Sequence, residues 1–357
     1  MWLSADVPEA SSPTIKDVAK RAGVSPGTVS NVFSKNRPVK AELAARVRAA
    51  AEELGYQPDR AASQLRSRKA RVIGILVPSL NNPFFTSVIA AIEARARGEG
   101  YEIIVASSND DERTEATRLA MLAAWRPAGI VVIPCADDFM ARRVVERASI
   151  PYVVADRVAS NLRADAVTID NAEAGAMAAN HLLDLGHHDF VVAASTLKLA
   201  NIRERCSGIE RVFALRGLRN PPLIEVGLDF EAAADRLRAW IETNNRPGAF
   251  LALTNFTTLG VLAALSRSGL AVPGDVSVLG FDDYSWMRAV SPQLSAIRQP
   301  VEEIGEQVWI RLRARISGED SPPIHMRLGC ELIVRNSTRR AEPARPAGAK
   351  GKVPKSR

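Results

Sequence analysis

The spacing of apolar residues divides the chain into two parts that meet near residue 71. Before that point apolar positions recur at the helical interval in three short segments, and after it short β-branched runs alternate with amphipathic stretches. The predicted inward faces are Ile15, Val18, Ala19 and Ala22, then Val29, Val32 and Phe33, and then, over 41–54, Leu43, Val47, Ala50 and Leu54. The pattern predicts a small helical domain followed by a larger α/β domain.

The first two helices have end signals that place them close together. Thr14 and Asp17 form a capping-box pattern, and Gly23 follows where a left-handed stop is needed. Ser25 can cap the second helix, with Pro26 at the first position, where the missing N–H costs nothing. Two short helices joined by a tight turn are typical of a helix-turn-helix, whose second helix enters the DNA major groove.

The larger part consists of two successive series of strands and helices. The predicted strands are 71–78, 101–107, 129–134, 151–156, 189–195, 221–227, 249–254 and 276–281, and the predicted helices lie near 84–98, 112–125, 138–147, 204–216, 231–243 and 256–268. This alternation predicts parallel sheets in two similar lobes. The sequence contains no GxGxxG after the first strand, no phosphate-binding P-loop and no GxSxG elbow, so the usual enzyme signatures of such folds are missing.

Composition favours a globular protein that is neither inserted in a membrane nor exported. The 357 residues are 46% hydrophobic, enough to form cores for two or three packed units. No apolar run approaches the ~18 residues that a membrane span needs, and Asp6 and Glu9 stand where an export signal would carry basic residues. The three cysteines and four histidines show no metal-ligand spacing, so we expect no metal, no cofactor and a reducing cytoplasm.

The charge is concentrated at the two ends of the chain. Residues 1–69 carry a net charge of +5, residues 70–337 carry −4, and residues 338–357 carry +6. A basic N-terminal segment before a mildly acidic main part indicates that residues 1–69 bind a polyanion, whereas residues 70–337 have a different function. The tail at 338–357 has almost nothing to bury, so we expect a disordered extension that at most adds nonspecific attraction to phosphates.

Residues 14–39, TIKDVAKRAGVSPGTVSNVFSKNRPV, closely resemble the headpiece of the lactose-repressor/galactose-repressor (LacI/GalR) family of bacterial transcription regulators. The resemblance implies that Pro26, Gly27 and Asn31 of the second helix face base edges. Pro26 and Gly27 offer no side-chain donor or acceptor, so direct readout should fall mainly on Asn31, whose amide can pair with adenine. Gly27 either allows close backbone approach or is simply tolerated. The other residues assigned to DNA contact here are Thr14, Ser25, Thr28, Ser30, Ser34 and Arg37.

The resemblance also gives a role to residues 57–70, which composition alone would describe as a charged linker. In this family the corresponding segment is a hinge helix that orders on operator DNA, pairs with its symmetry mate and inserts a leucine into the minor groove. Leu65 occupies that position, with Arg60 and Arg66 beside it. A wedge of this kind favours an easily deformed step, such as CG, at the centre of a near-palindromic operator. The alternative for Leu65 is an ordinary interdomain contact.

Residues 71–337 resemble the effector domain of the same family, which is itself similar to periplasmic sugar-binding proteins. The resemblance is carried by NNPFF (81–85), VTIDN (167–171), HLLDLGHHDF (181–190), RERCSG (203–208), VPGDVSVLGFDD (272–283) and PQLSAIRQP (292–300). The implied architecture is a disordered start (1–12), a three-helix helix-turn-helix headpiece (13–56), a hinge helix (57–70) and a two-lobed periplasmic-binding-protein-like α/β domain (71–337). Lobe 1 would comprise about 71–168 and 297–321, and lobe 2 about 169–296 and 322–337, with crossings near Ile169, Ala296 and Pro322.

A ligand between the lobes would lie at the carboxyl ends of the strands, where open α/β sheets leave a crevice. The candidate contacts at these ends, or in the matched motifs, are Asn82, Phe84, Phe85, Asp156, Arg157, Arg205, Thr254, Asn255, Asp282 and Trp286. Carboxylates, guanidiniums and carboxamides beside aromatic rings suit a sugar or a sugar acid, because each hydroxyl needs a donor and an acceptor.

Several of these candidates have a purely structural alternative. Arg205 could pair with Glu210 on its own helix, Asp282 could cap the segment that follows it, and Phe84 could belong to the core, like its neighbour at 85. The pair His187-His188 suggests a metal only superficially, since no third ligand is near in sequence. Thr-Asn at 254–255 replaces the Asn-Asp that is commoner in the family, a loss of one carboxylate that an anionic ligand would tolerate better.

The sequence as a whole predicts a homodimeric regulator, most often a repressor in this family, that binds operator DNA and responds to a small metabolite. The alternatives are a solute-binding protein that delivers a sugar to a transporter, which would have to be exported, and an enzyme on the same fold, for which no nucleophile or acid–base pair is found. The tail contains no leucine heptad, so we do not expect a tetramer built through it.

Overall fold

A computed structural model describes residues 13–34, 37–56, 71–137, 139–158 and 162–341. The chain divides into two compact units, the first ending at Arg71 and the second beginning at Val72. None of the helices in the described ranges is long and apolar enough to cross a membrane.

The first unit is the helical domain that the sequence predicts. Its helices are α1 (Ile15–Ala22), α2 (Pro26–Ser34) and α3 (Ala41–Glu53). The fully buried core consists of Val18, Ala19, Ala22, Val29, Val32, Val47, Ala50 and Ala51. Leu43, which the periodicity places inward, is only partly buried and stays outside this core, whereas Ala51, which the periodicity did not select, is buried in it. Gly23 ends α1 with φ of 64°, and Arg46 of α3 donates a hydrogen bond of 2.6 Å to the carbonyl of Ala22.

The second unit alternates strands and helices along its length. Its first half contains β1 (Val72–Val77), α4 (Pro83–Gly98), β2 (Glu102–Ser107), α5 (Glu112–Ala124), β3 (Gly129–Val132), α6 (Arg142–Arg147), β4 (Tyr152–Ala155) and β5 (Asp165–Ile169). Its second half contains α7 (Asn171–Asp184), β6 (Val191–Ala194), α8 (Ala200–Leu215), β7 (Leu223–Glu225), α9 (Phe230–Thr243), β8 (Ala249–Ala252), α10 (Asn255–Arg267), β9 (Ser277–Phe281), α11 (Ser285–Ala289), β10 (Ser295–Arg298), α12 (Val301–Ile316), β11 (His325–Leu328) and β12 (Glu331–Ile333).

The strands form two six-stranded sheets, and each sheet is the centre of one lobe. Lobe 1 has the strand order β11-β5-β4-β3-β1-β2 and lobe 2 has the order β12-β10-β9-β8-β6-β7. Every neighbouring pair is parallel except β10 and β12, in which Ala296 stands opposite Ile333. The nearly continuous apolar strands are buried by helices on both faces, as parallel sheets require. The prediction of two similar parallel lobes is confirmed.

The chain crosses between the lobes at three points, and the third differs from the sequence prediction. The first crossing follows Ile169, as expected. The second follows Arg298, two residues after the expected Ala296, because the whole of β10 pairs in lobe 2. The third lies between Leu328 and Glu331 rather than near Pro322, because β11 pairs with β5 in lobe 1. Apolar spacing identifies a short strand but not the sheet that it joins.

Two helix starts also differ from the prediction. Helix α6 begins at Arg142, not near 138, and α8 begins at Ala200, four residues before the predicted 204. Helices α7 and α8 cross in close contact at Gly175 and Gly208, where a side chain would meet backbone of the opposite helix. This crossing fixes the position of α8 relative to the first interlobe crossing.

The described part of the tail is bound to lobe 2, which corrects the expectation that disorder begins at 338. The Thr338 hydroxyl lies 3.1 Å from His181 Nε2, and the Arg339 carbonyl lies 2.8 Å from His187 Nε2. The amide of Ala341 donates to the carbonyl of Leu185. Four residues of the predicted tail therefore belong to the fold, held by hydrogen bonds that composition does not reveal.

Candidate functional site

The start of the helix-turn-helix is held by hydrogen bonds between side chains and backbone. The Asp17 carboxylate accepts bonds of 2.8 Å from the Thr14 amide and 2.6 Å from the Thr14 hydroxyl, and these bonds lower its pKa. At the second helix, the Ser25 hydroxyl accepts from the Thr28 amide at 3.1 Å and lies 3.0 Å from the Thr28 hydroxyl. Three of the predicted DNA contacts, Thr14, Ser25 and Thr28, are thus also helix-capping residues.

The predicted base-contacting residues share one concave surface of the first unit. This surface, which we call the recognition surface, encloses about 260 Å³ and is lined by Ile15, Pro26, Gly27, Ser30, Asn31 and Arg37. Pro26 and Gly27 are exposed, so the first turn of α2 is accessible, and Asn31 is partly buried. Ser34 is the last residue of α2. The hinge residues Arg60, Leu65 and Arg66 lie outside the described residues.

In the second unit, eight of the ten predicted ligand contacts line one cavity between the lobes. The cavity, which we call the inner cavity, has a volume of about 50 Å³. The predicted residues along it are Asn82, Phe84, Phe85, Asp156, Arg157, Arg205, Thr254 and Asp282. Asn255 and Trp286 do not reach it. They are joined by a 3.1 Å hydrogen bond from Trp286 Nε1 to Asn255 Oδ1 and support the wall from behind.

Lobe 1 contributes an aromatic wall and the Asp156–Arg157 pair. Asn82 caps α4 by accepting from the Phe84 amide at 3.0 Å, which directs Phe84 and Phe85 inward with their ring centroids 5.5 Å apart. Both rings are buried in the core and also face the cavity, so each can serve both as a core residue and as a ligand contact. The Arg157 guanidinium lies 5.4 Å from the Phe85 ring centre.

Arg205 is the central cation of the inner cavity. Its guanidinium lies 3.9 Å from the ring centre of Phe281, donates to Asn171 Oδ1 at 2.9 Å, and donates to the carbonyl of Leu253 at 2.5 Å. These bonds, rather than one to Glu210, fix the side chain, which is 2% exposed. A cation held between an aromatic face and oxygen acceptors is pre-organised to donate to a ligand.

Asp282 supplies the carboxylate of lobe 2. Its oxygens accept from the Asn255 amide at 3.1 Å and from Gln299 Nε2 at 2.5 Å. Its backbone has a φ of 68°, in the left-handed region that bulky side chains rarely adopt. The next residue, Asp283, forms a bidentate ion pair with Arg335 at 2.6 and 2.8 Å and has a separate, structural role.

The carboxyl groups of Asp156 and Asp282 have raised pKa values. Burial raises the pKa of Asp156 against the opposing effect of Arg157 and then Arg205. Burial likewise raises the pKa of Asp282, while Arg205 opposes the shift most strongly. Burial also raises the pKa of the Tyr284 phenol, and Asp282 and then Asp156 raise it further. At both carboxyl groups the effect of burial therefore outweighs the attraction of the nearby arginines.

The inner cavity includes residues that the sequence analysis missed. They are Ser195, Leu199, Asn201, Ile202, Leu228, Phe256 and Gln299. Among the described side chains, Ser195 Oγ, Gln299 Oε1 and Arg157 Nε are buried there without a hydrogen-bond partner. Ser195 and Gln299 each follow a strand, β6 and β10, so the rule that selected Asp156 and Asp282 would have found them. Unpartnered buried polar atoms are costly, and a ligand can satisfy them.

At the histidine pair 187–188, the structure gives His187 a hydrogen-bond partner within the second unit. His187 Nε2 is engaged by the carbonyl of Arg339, and no cluster of three metal-ligating side chains occurs in the ranges that the structure describes. The pair lies in the turn between α7 and β6.

Comparisons with known proteins cover both units. Residues 14–59 match a family model described as bacterial regulatory proteins, lacI family, and residues 179–338 match a periplasmic binding protein-like domain. A transcriptional repressor named PurR from Aliivibrio fischeri is 33% identical over 91% of this chain and 98% of its own length. A ribose operon repressor from Haemophilus influenzae is 30% identical over 85% of this chain and 92% of its own. The crystal structure of a lac repressor dimer bound to operator and the anti-inducer ONPF superposes with a TM-score of 0.79 and 26% identity, covering 92% of this chain and 99% of that one.

Proposed function

The chain belongs to the LacI family of bacterial regulatory proteins, and from this premise we propose a homodimeric repressor whose operator affinity is set by a small sugar in the inner cavity. The repressor class follows from the relatives, none of which is named as an enzyme or a transporter component in the comparisons above. The dimer and the operator are proposed by analogy with the lac repressor complex. A protein that acts on genomic DNA would work in the bacterial cytoplasm.

The DNA-binding part of the proposal rests on the recognition surface. Among the described residues that line it, Asn31 alone has a side-chain amide, and such an amide reads adenine through two hydrogen bonds. Pro26 and Gly27 offer no side-chain donor or acceptor, so the operator should show its strongest base preference opposite Asn31. In a dimer the two recognition surfaces would read the half-sites of a near-palindrome, with Leu65 acting at a central CG step.

This part is tested by selecting operators from random duplexes with the full-length protein and measuring affinity by electrophoretic shift. We expect Asn31→Ala to weaken binding to the selected operator by about 10- to 100-fold and to leave binding to random DNA within about twofold. Ala49→Ser, an exposed change on α3 outside the recognition surface, is the matched control. Failure of the wild-type protein to enrich any sequence would refute the proposal.

The ligand part rests on the two carboxylates with raised pKa values that face the inner cavity from opposite lobes. They favour a neutral polyhydroxylated ligand, because a hydroxyl donates to a carboxylate whereas a second anion would be repelled. Arg205 supplies a donor, the unpartnered Gln299 Oε1 supplies an acceptor, and the phenylalanine wall suits the apolar face of a sugar ring. A sugar acid, which the sequence analysis left open, becomes the second candidate.

The cavity volume limits how a ligand can enter. About 50 Å³ is far below the ~300 Å³ of typical small-ligand pockets, so the lobes must separate before a monosaccharide can bind. Ligand binding and lobe movement are then coupled. A ligand that binds one lobe arrangement more tightly raises the population of that arrangement, and with it raises or lowers the population of the state that binds DNA.

A calorimetric titration with D-ribose, other neutral monosaccharides and D-gluconate tests the ligand class. We expect binding of a neutral sugar that Arg205→Ala weakens at least about 10-fold, because a charge-assisted hydrogen bond is lost. The control is Arg211→Ala, which removes an exposed arginine on the same helix that pairs with Glu173. If only gluconate binds, the proposed ligand becomes a sugar acid instead of a neutral sugar. If Arg205→Ala and Arg211→Ala change the affinity equally, Arg205 does not contact the ligand.

A further inference from the structure

A second and larger cavity opens beside the inner cavity. This outer cavity has a volume of about 790 Å³ and is lined by lobe 1 on one side and the start of α8 in lobe 2 on the other. Asp156 and Asn201 line both cavities, so this pair forms the partition between them. Asn201 Nδ2 lies 3.3 and 3.4 Å from the two Asp156 oxygens. A ligand that passes from the outer to the inner cavity must part these two residues.

The first turn of α8 is bonded to lobe 1 through Asp137, which follows β3. One Asp137 oxygen accepts from the Ala200 amide at 2.8 Å, and the other accepts from Arg203 at 2.5 Å. A weaker ion pair of 3.9 Å joins Glu204, further along this turn, to Arg327 of β11. All these contacts run from one lobe to the other and lie along the wall of the outer cavity.

The cap of α8 is unusual among the helices of lobe 2 because it comes from the other lobe. The long helices α7, α9 and α10 each begin at a residue whose own side chain accepts a backbone hydrogen bond, namely Asp170, Asp229 and Thr254. Helix α8 begins after Leu199, which has no such side chain. Asp137 supplies the missing acceptor, and a carboxylate at a helix N-terminus is also favoured by the helix dipole. The backbone amide of Ala200 at the start of α8 can therefore donate to Asp137 only while the lobes are closed.

We propose that Asp137 and the first turn of α8 form an interlobe latch that holds the lobes closed over the inner cavity and controls passage from the outer one. When the latch opens, α8 loses its cap and Arg203 loses its ion-pair partner, keeping only its 2.8 Å bond to the Leu197 carbonyl. Asn201 then withdraws from Asp156 and opens the partition. Because Arg205 lies on the same helix, engagement of a ligand and closure of the latch reinforce each other. This inference rests on the proposed function in one respect, because it takes the inner cavity as the site where the effector binds.

The latch is tested by measuring the distance between the lobes in the full-length protein, with neither DNA nor ligand present. Spin labels are attached through a ketone-bearing unnatural amino acid at Met140 and Ser207, which line the outer cavity from opposite lobes. Labelled chains are diluted with unlabelled ones so that a dimer carries one labelled chain. Double electron–electron resonance then gives the ratio of closed to open lobes.

We expect Asp137→Ala to lower the ratio of closed to open lobes by about tenfold or more, since two hydrogen bonds of a charged group are removed. Asp137→Asn, which keeps one acceptor, should give an intermediate ratio. The matched control is Asp229→Ala, which removes an N-cap carboxylate of the same kind within lobe 2 and should leave the distance unchanged.

An unchanged distance distribution in Asp137→Ala, or an equal change in Asp229→Ala, would overturn the latch. Because the measurement contains no DNA or sugar, it can fail while operator selection succeeds. Operator selection can equally fail while the latch stands, so the two proposals are refuted separately.

Discussion

The crossing of α7 and α8 provides the sharpest test of how the effector unit is held together. A Cβ atom added at Gly208 would lie 1.8 Å from the carbonyl oxygen of Ala172 and 3.0 Å from the amide nitrogen of Ala176. Both atoms are backbone, so no side chain can move aside. To bring the closer contact to 3.0 Å, the shortest that real Cβ atoms show, the two helices must separate by ~1.2 Å.

We expect Gly208→Ala to lower the free energy of unfolding by about 3 kcal/mol, at the upper end of overpacking costs, because the crossing has no room to relax. For a unit of this size the loss corresponds to a fall in Tm of roughly 6 to 12 °C. The separation would also displace Arg205, which lies one turn away on α8. Ligand affinity should therefore fall together with stability.

Gly98→Ala is the control for this substitution. Gly98 is the last residue of α4, and a Cβ there would meet no atom within 4 Å. Alanine should be neutral or stabilising by up to about 1 kcal/mol at that position. Thermal and urea denaturation of the full-length variants measure the difference. If Gly208→Ala unfolds within about 0.5 kcal/mol of the wild type, the close crossing is not a feature of the folded protein.

Three further outcomes are expected from thermal denaturation. Burial raises the pKa of Asp156 in the folded state, so ionisation of this carboxyl destabilises the fold once the pH exceeds its pKa in the unfolded chain. Asp156→Asn should therefore have a higher Tm than the wild type at pH 7, and this difference in Tm should shrink towards pH 4. A lower Tm of the variant at pH 7 would contradict this. A chain ending at Ser337 should lose about 2 to 4 kcal/mol relative to one ending at Ala341, since it lacks the bonds to His181, His187 and Leu185; equal Tm values would make residues 338–341 dispensable. Arg335→Ala should cost about 3 kcal/mol, because the buried Asp283 carboxylate loses its bidentate partner and keeps only Arg298 at 3.9 Å, whereas Arg211→Ala, at an exposed pair, should cost less than about 1 kcal/mol.

Much of the candidate site was predictable because parallel strands bring their carboxyl ends to one edge. That rule, together with the family resemblance, gave Asp156 after β4 and Asp282 after β9, and the structure brings both to the inner cavity. The same rule would have given Ser195 and Gln299 had it been applied to every strand. Asn255 was misplaced because position in the chain does not fix the direction of a side chain, and its amide points to Trp286.

The interlobe features could not be predicted in the same way. Which sheet receives β11 depends on pairing across more than 150 residues, and apolar spacing carries no information about that choice. The cap of α8 is equally non-local, because Asp137 lies 63 residues before Ala200. Leu199 offers no capping side chain, so the local sequence gives no signal of a helix start at Ala200, and the predicted start at 204 is four residues late.

The arrangement of charge in the inner cavity explains how a ligand could act on DNA through this fold. Lobe 1 contributes Asp156 and lobe 2 contributes Asp282. Burial destabilises the ionised form of each carboxyl group, as the raised pKa values indicate. A ligand that donates hydroxyl protons to both carboxylates must bridge the lobes, so part of its binding free energy is released only in the closed arrangement. A pocket confined to one lobe would bind the same sugar without shifting that equilibrium, because a ligand with equal affinity for two states changes neither population. The division of the carboxylates between the lobes is therefore the physical basis of regulation in the proposed repressor.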